Sequence, residues 1–352
     1  MTKIQTVSIG NMKLENGGVL NIELAYERRG PEDAPVILVC HALTGNQFSI
    51  GTEREPGWWS GLIGSGKYID TNHWQVITFN VLGGCDGSTG PLSIHPDTQD
   101  TYRSAFPAIT IRDMVKAERL ALDQLGIGKL KAVIGGSLGG MQVLEWGVLY
   151  PNDMEQLFVL ASTPYLSDYG IAFNRIGIAA IEGDPNFQNG YYQFSHEVKG
   201  FEVARMAGMV TYRSPKLFSQ RFHRESQSSD LYSVESYLHY QGEKLAKRFD
   251  VNSYLVLLKA MNSHDIGRGR GGWRNAASAI KAHVTGIGYE HDLIYPSEEI
   301  QAFIQTVEKG DFYKVPTDFG HDGFLVEFEK WGHLIQHQLE KNLIGVSSAE
   351  KR

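Results

Sequence analysis

Only two of the 352 residues are cysteine, Cys40 and Cys85, and no metal-ligand spacing surrounds them. That excludes a disulfide framework and gives no zinc or other metal site. Long apolar runs are missing too. The stretch VILVC at 36–40 is of strand length, far below the about 20 residues that cross a bilayer, so no membrane is expected as a partner. Basic excess is absent: 33 Lys and Arg stand against 40 Asp and Glu, a formal charge of -7 with no cationic cluster to offset it, so nucleic acid is not expected either. The opening MTKIQTVSIGNMKLENGG lacks the basic-then-apolar order of a secretory signal, which makes a cytoplasmic location the expectation. There is no internal repeat, and only VSSAEKR at 346–352 reads as a loose tail.

What is present is an ordinary globular composition, 42% hydrophobic and 21% charged, on a chain long enough for a sizeable core. Short apolar runs at 36–40, 74–80, 131–134 and 154–160 predict strands, and apolar residues at helical spacing over 110–125 predict a helix between two of them. Fully apolar strands separated by helices indicate a parallel sheet covered on both faces. From about 164 to 281 the pattern turns helical, as at 198–212 and 234–249, with almost no strand signal. Alternation returns with a strand at 282–288, a helix near 298–307, a strand at 312–315 and a closing helix from about 324 to 339. The expected organisation is an α/β fold with a mostly parallel, doubly wound sheet, its first part at 1–163 and its second at 282–352, interrupted by a helical lid insertion at 164–281.

The chemistry concentrates at VIGGSLGGMQVLEW, 133–146. Gly135-Gly136-Ser137-Leu138-Gly139 fits G-x-S-x-G between a strand and a helix, the setting of a nucleophile elbow, where neighbouring glycines permit a strained serine; a plain glycine-rich turn is the alternative. A serine hydroxyl needs a base, and the base needs an orienting carboxylate. In an elbow fold the order along the chain is serine, acid, histidine. His321, on a glycine-flanked loop before the last helix, is in the place for the base. Asp292 is the first candidate for the acid, with Glu290 second. The Leu138 N–H at the helix start and the Leu43 N–H in His41-Ala42-Leu43-Thr44-Gly45 are the candidate oxyanion donors. His41 and His283 adjoin strands, with packing the preferred reading for either and a place near the site the alternative, and His333 and His337 read as surface or core residues rather than metal ligands.

The segment GGSLGGMQVLEW resembles the nucleophile region of the homoserine O-acetyltransferase family, a branch of the α/β-hydrolase superfamily. The likeness continues through Gly57-Trp58-Trp59, Asn80-Val81-Leu82-Gly83-Gly84-Cys85, Arg248-Phe249-Asp250, His264-Asp265-Ile266-Gly267-Arg268-Gly269-Arg270-Gly271 and Gly320-His321-Asp322-Gly323-Phe324. It implies the α/β-hydrolase fold and a ping-pong transfer of acetyl from acetyl-CoA, a co-substrate rather than a tightly bound cofactor, to L-homoserine, giving O-acetyl-L-homoserine for methionine synthesis. It also implies a triad of Ser137, Asp292 and His321, with Arg205 and Tyr212 against the acceptor carboxylate and Asp322 against its ammonium. A homodimer paired through lid helices is a further implication. Read by itself, Arg205 is better explained as a helix-surface arginine, and Asp322 equally well as a helix cap. Asn262 departs from the family pattern, standing where many relatives have an acid. Rival readings are an esterase or thioesterase, a succinyl-CoA-dependent or L-serine-accepting transferase, and a non-catalytic module, the last disfavoured because every expected position is filled. The loops 41–45 and 82–91 contain no Arg or Lys to meet a succinyl carboxylate, which favours acetyl.

Overall fold

Apolar runs buried on both sides become the middle of one sheet in the computed structural model, which describes residues 4–347. Strands Gln5–Lys13 (β1) and Val19–Arg29 (β2) are followed by Val36–Cys40 (β3), Gln75–Phe79 (β4), Leu130–Gly136 (β5), Met154–Leu160 (β6), His283–Tyr289 (β7) and Gly310–Val315 (β8). Their spatial order is β1-β2-β4-β3-β5-β6-β7-β8; β3 to β8 are mutually parallel, while β1 and β2 run antiparallel. The first two strands alternate exposed and buried residues instead of forming solid apolar runs, so they leave no run for the eye to catch.

Alternate residues of the central strands feed two cores. Leu38, Ile77, Val133 and Leu157 pack with helices Ile111–Gln124 (α1) and Leu138–Leu149 (α2), and Ile37, Val39, Val76 and Ile134 pack on the other face. That second face is covered by the closing helix Phe328–Ser347, through Trp331, Ile335 and Leu339, one turn apart each. Its start differs from the expected 324. Residues Gly320–Leu325 form a tight 3₁₀ turn, then Val326 is extended and Glu327 has φ 51°, which breaks any helix begun earlier. Of the tail expected at 346–352, residues 346 and 347 continue this helix, and 348–352 lie outside the described residues.

The insertion between β6 and β7 carries Asp168–Glu182 (α3), Lys199–Tyr212 (α4), Pro215–Phe222 (α5), Ser233–Ala246 (α6), Val251–Asn262 (α7) and Trp273–Ala277 (α8). One feature adds to the largely helical expectation: Ser226–Ser228 and Leu231–Tyr232 pair as a small antiparallel hairpin, its strands of three and two residues too short to give a strand signal. The lid closes on itself where Leu166 N–H meets the His264 carbonyl at 3.1 Å and Ile266 N–H the Pro164 carbonyl at 2.9 Å. It is tied to the core by Glu145 of α2, buried and shared between Arg112 at 3.0 Å and Arg270 at 2.9 Å. Among the described residues no helix is long and apolar enough to cross a membrane.

Candidate active site

Ser137 sits where β5 ends and α2 begins, with φ 58° and ψ −124°, a region that side-chain-bearing residues avoid. The glycines make that bend possible. A Cβ on Gly139 would stand 2.1 Å from the Cys40 carbonyl oxygen, and one on Gly135 would stand 2.6 Å from the Gly139 carbonyl. Neither atom can retreat, since both belong to backbone. Gly139→Ala is therefore expected to lower the thermal midpoint, with a cost of about 3 kcal/mol from overpacking, and to displace the loop after β3. Thermal unfolding followed by circular dichroism checks this, and an unchanged midpoint would contradict it.

Three residues distant in sequence meet over the bend. Ser137 Oγ donates to His321 Nε2 at 2.9 Å, and His321 Nδ1 donates to Asp292 Oδ2 at 2.8 Å. The Asp292 side chain is fully buried, and its second oxygen accepts the N–H groups of Ile294 at 2.9 Å and Tyr295 at 3.0 Å. The carboxylate that reaches the imidazole is that of Asp292, not Glu290. Burial pushes the His321 imidazole down, but the charge and hydrogen bond of Asp292, with the nearby charge of Asp322, outweigh it, so its pKa is raised. All three lie on loops at the carboxyl ends of β5, β7 and β8, where the parallel strands open together. Chemically this is a hydroxyl with a base in contact and an acid fixing the base's tautomer, an arrangement suited to acyl transfer.

Leu43 and Leu138 lie in the donor positions expected from the sequence, the loop after β3 and the start of α2. Leu138 is the first residue of α2, so its N–H lies at the positive end of the helix, and Leu43 lines the cavity that touches Ser137. The Leu43 loop is clamped by His41, a role beyond the packing expected of it. His41 Nδ1 donates to the Ala42 carbonyl at 2.7 Å and Nε2 accepts the Val81 N–H at 3.0 Å, while burial lowers its pKa to about 4 and keeps it neutral. From outside, Arg248 of the lid donates to the Thr44 carbonyl at 3.0 Å. The absence of cations within the loops thus does not keep a cation away from them. Arg248, Lys244 and Trp58 line an open cleft of about 720 Å³ on that side, which lacks Ser137.

The cavity at Ser137 itself is small, about 40 Å³, and roofed by lid residues including Phe173, Tyr212, Leu258 and Met261. Tyr212 lies 5.7 Å from the His321 ring, centroid to centroid, and the Arg205 guanidinium lies 5.6 Å from the Tyr212 centroid. Burial pushes the Tyr212 phenol up. Arg205 is half-buried, and its Nε is buried without a protein acceptor, unlike a helix-surface arginine. Asp322 does not cap the closing helix; its carboxylate pairs with Arg213 Nε at 3.1 Å. Asn262 accepts from Asn174, a cavity-lining side chain, at 2.8 Å. Arg213 and Tyr295 have no role in the sequence reading. Arg213 directly follows Tyr212, and Tyr295 lies three residues past Asp292, so a search for more than carboxylates in those loops would have reached both. Among the described residues there is no cluster of His, Cys, Asp and Glu able to hold a metal.

Comparison with known proteins adds to this geometry. A family model described as the alpha/beta hydrolase fold matches residues 35–337. A homoserine O-acetyltransferase of Symbiobacterium thermophilum is 43% identical over 337 residues, spanning 90% of this chain and 88% of the relative. The solved homoserine O-acetyltransferase of Bacillus anthracis superposes with a TM-score of 0.90 at 27% identity, covering 96% of this chain and 97% of that one. The solved esterase E22 superposes with a TM-score of 0.89 at 26% identity, covering 97% and 100%.

Proposed function

Because the chain belongs to the α/β-hydrolase fold family, and within it to the homoserine O-acetyltransferases, which are acyltransferase enzymes, we propose that it acetylates the side-chain hydroxyl of L-homoserine from acetyl-CoA through an acyl-Ser137 intermediate. His321 Nε2 takes the proton of Ser137 Oγ as the oxygen attacks the thioester carbonyl. The developing oxyanion accepts the N–H groups of Leu43 and Leu138. Collapse expels the CoA sulfur, which takes the proton from His321. The homoserine hydroxyl then gives its proton to His321 and attacks the ester, and Ser137 leaves, recovering a proton. The product is O-acetyl-L-homoserine, a methionine precursor.

The observation that carries the acceptor assignment is Arg205. A buried guanidinium nitrogen with no protein partner is costly, and a ligand carboxylate would satisfy it with a charge-assisted bond. Tyr212 beside it and Asp322 next to His321 supply the remaining polar contacts for a zwitterion. The small volume of the cavity at Ser137 supports acetyl over succinyl. Lys244 and Arg248 on the outer cleft offer positive charge to the donor's phosphates.

A matrix of acetyl-CoA and succinyl-CoA against L-homoserine and L-serine, read by thiol release and product mass, tests the assignment. L-Homoserine is expected to accelerate thiol release from acetyl-CoA at least tenfold and to gain one acetyl group; the extra methylene separates it from L-serine by only about 1–3 kcal/mol. Arg205→Ala is expected to raise the KM for L-homoserine about 10- to 100-fold, the loss of about 1.5–3 kcal/mol for a charged hydrogen bond, with thiol release in the first turnover retained. An unchanged KM would remove Arg205 from acceptor binding. The likeness to esterase E22, almost as high as that to the transferase of Bacillus anthracis, favours hydrolysis as the second reading. Fast thiol release that ignores the acceptor would select it.

A further inference from the structure

Tyr295 occupies an unusual position for a residue that no step above uses. Its backbone N–H holds Asp292 Oδ1 at 3.0 Å, and its ring stacks on the His321 imidazole at 5.1 Å and 28°. The side chain is buried and lines the small cavity together with Ser137 and Tyr212. Its hydroxyl has no hydrogen-bond partner of acceptable geometry, although Ser137 is close enough to influence its ionisation. An unpartnered buried phenol is a cost that the fold does not need, because phenylalanine would keep the stack and the backbone bond. Burial also drives the phenol's pKa far up, so the group stays a neutral donor and never a proton source.

We propose that Tyr295 is a further catalytic residue, whose hydroxyl donates to Ser137 Oγ as that oxygen leaves the acyl-enzyme. The inference rests on the acyl-Ser137 reading. In the second half-reaction the bond between Oγ and the acyl carbon breaks, and its electron pair moves to Oγ, which takes the proton from His321 Nε2. The Tyr295 proton stays on its own oxygen throughout. A hydrogen bond to Oγ gains strength as negative charge gathers there, and catalytic hydrogen bonds that are long at rest tighten in the reacting complex. The first half-reaction makes the same Oγ–acyl bond in the opposite sense, with charge gathering on Oγ as His321 removes its proton, so by microscopic reversibility the donor stabilises that step too. Both halves therefore respond to its loss.

Tyr295→Phe tests this. It keeps the ring on His321 and the N–H on Asp292. With acetyl-CoA, and separately with p-nitrophenyl acetate, the acylation burst and the acceptor-dependent deacylation are both expected to slow about 10- to 100-fold, as for loss of one donor to developing charge. The acid limb of the pH profile stays in place because the His321–Asp292 pair is retained. A moved acid limb, or no slowing of either half-reaction, would overturn the proposal. If the phenyl ester acylates Ser137 and acetyl-CoA does not, the donor assignment fails while the Tyr295 comparison still decides this inference.

Discussion

Asp292→Asn is expected to cut acyl transfer by about 10³- to 10⁴-fold without unfolding the protein. The reason lies in which atoms Asp292 already serves. Its Oδ1 accepts two backbone N–H groups, from Ile294 and Tyr295, and its Oδ2 accepts the His321 Nδ1 proton. An asparagine in the same pocket keeps its one carbonyl oxygen on the two N–H groups and turns its NH₂ towards the imidazole. Nδ1 must then be the acceptor, so the ring proton moves to Nε2, the atom that has to receive the proton of Ser137. The base is present but in the wrong tautomer. A second consequence concerns pH. His321 works deprotonated, and its net raised pKa puts the acid limb of the native enzyme above the ordinary imidazole value of 6.5. Removing the Asp292 charge takes away the main influence opposing burial, so the residual activity is expected to have its acid limb at lower pH. Thiol release across a pH series in both proteins measures rate and limb together, and a limb that does not move would deny the electrostatic account.

How much of this could be read beforehand follows from which interactions are local. The strands β3, β5 and β6 are buried on both faces and announce themselves as apolar runs, whereas β1 and β2 bury one face and alternate. The family and fold implied by GGSLGGMQVLEW are those found by comparison. The Ser137 bend was legible because positive φ demands small neighbours, and glycines at 135, 136, 139 and 140 are the record of that demand. Pairings across the fold leave no such record. Arg213 meets Asp322 across 109 positions, and Arg248 meets Thr44 across 204, so neither cation could be assigned to a loop by proximity in sequence. The same holds for His41, whose two nitrogens join its own loop to the one beginning at Val81. The closing helix was misjudged at its start because Glu327, with φ 51°, carries no glycine or proline to mark the break.

Ser137→Ala is expected to remove at least about 10⁴ of the turnover and every trace of an acetyl adduct, leaving only what the cavity and N–H donors contribute by holding the substrates. The loss should be chemical rather than structural. Alanine has the same Cβ, suffers the same backbone strain at φ 58°, and forfeits one hydrogen bond to His321, about 1 kcal/mol. Ser137→Gly offers the decisive companion. It is equally unable to carry an acyl group, but it has no Cβ to oppose the left-handed bend, so it is expected to be more stable than the alanine variant by about 1–2 kcal/mol. Glycine is ordinarily the less stable choice because its unfolded chain has more freedom. An inversion of that order, measured by urea unfolding, would reveal strain stored at the nucleophile, separately from any rate. If alanine proves the more stable of the two, the bend costs the fold little and the glycines around it serve close approach alone. If the alanine variant still turns over at the native rate, the hydroxyl at this corner is not the acyl carrier.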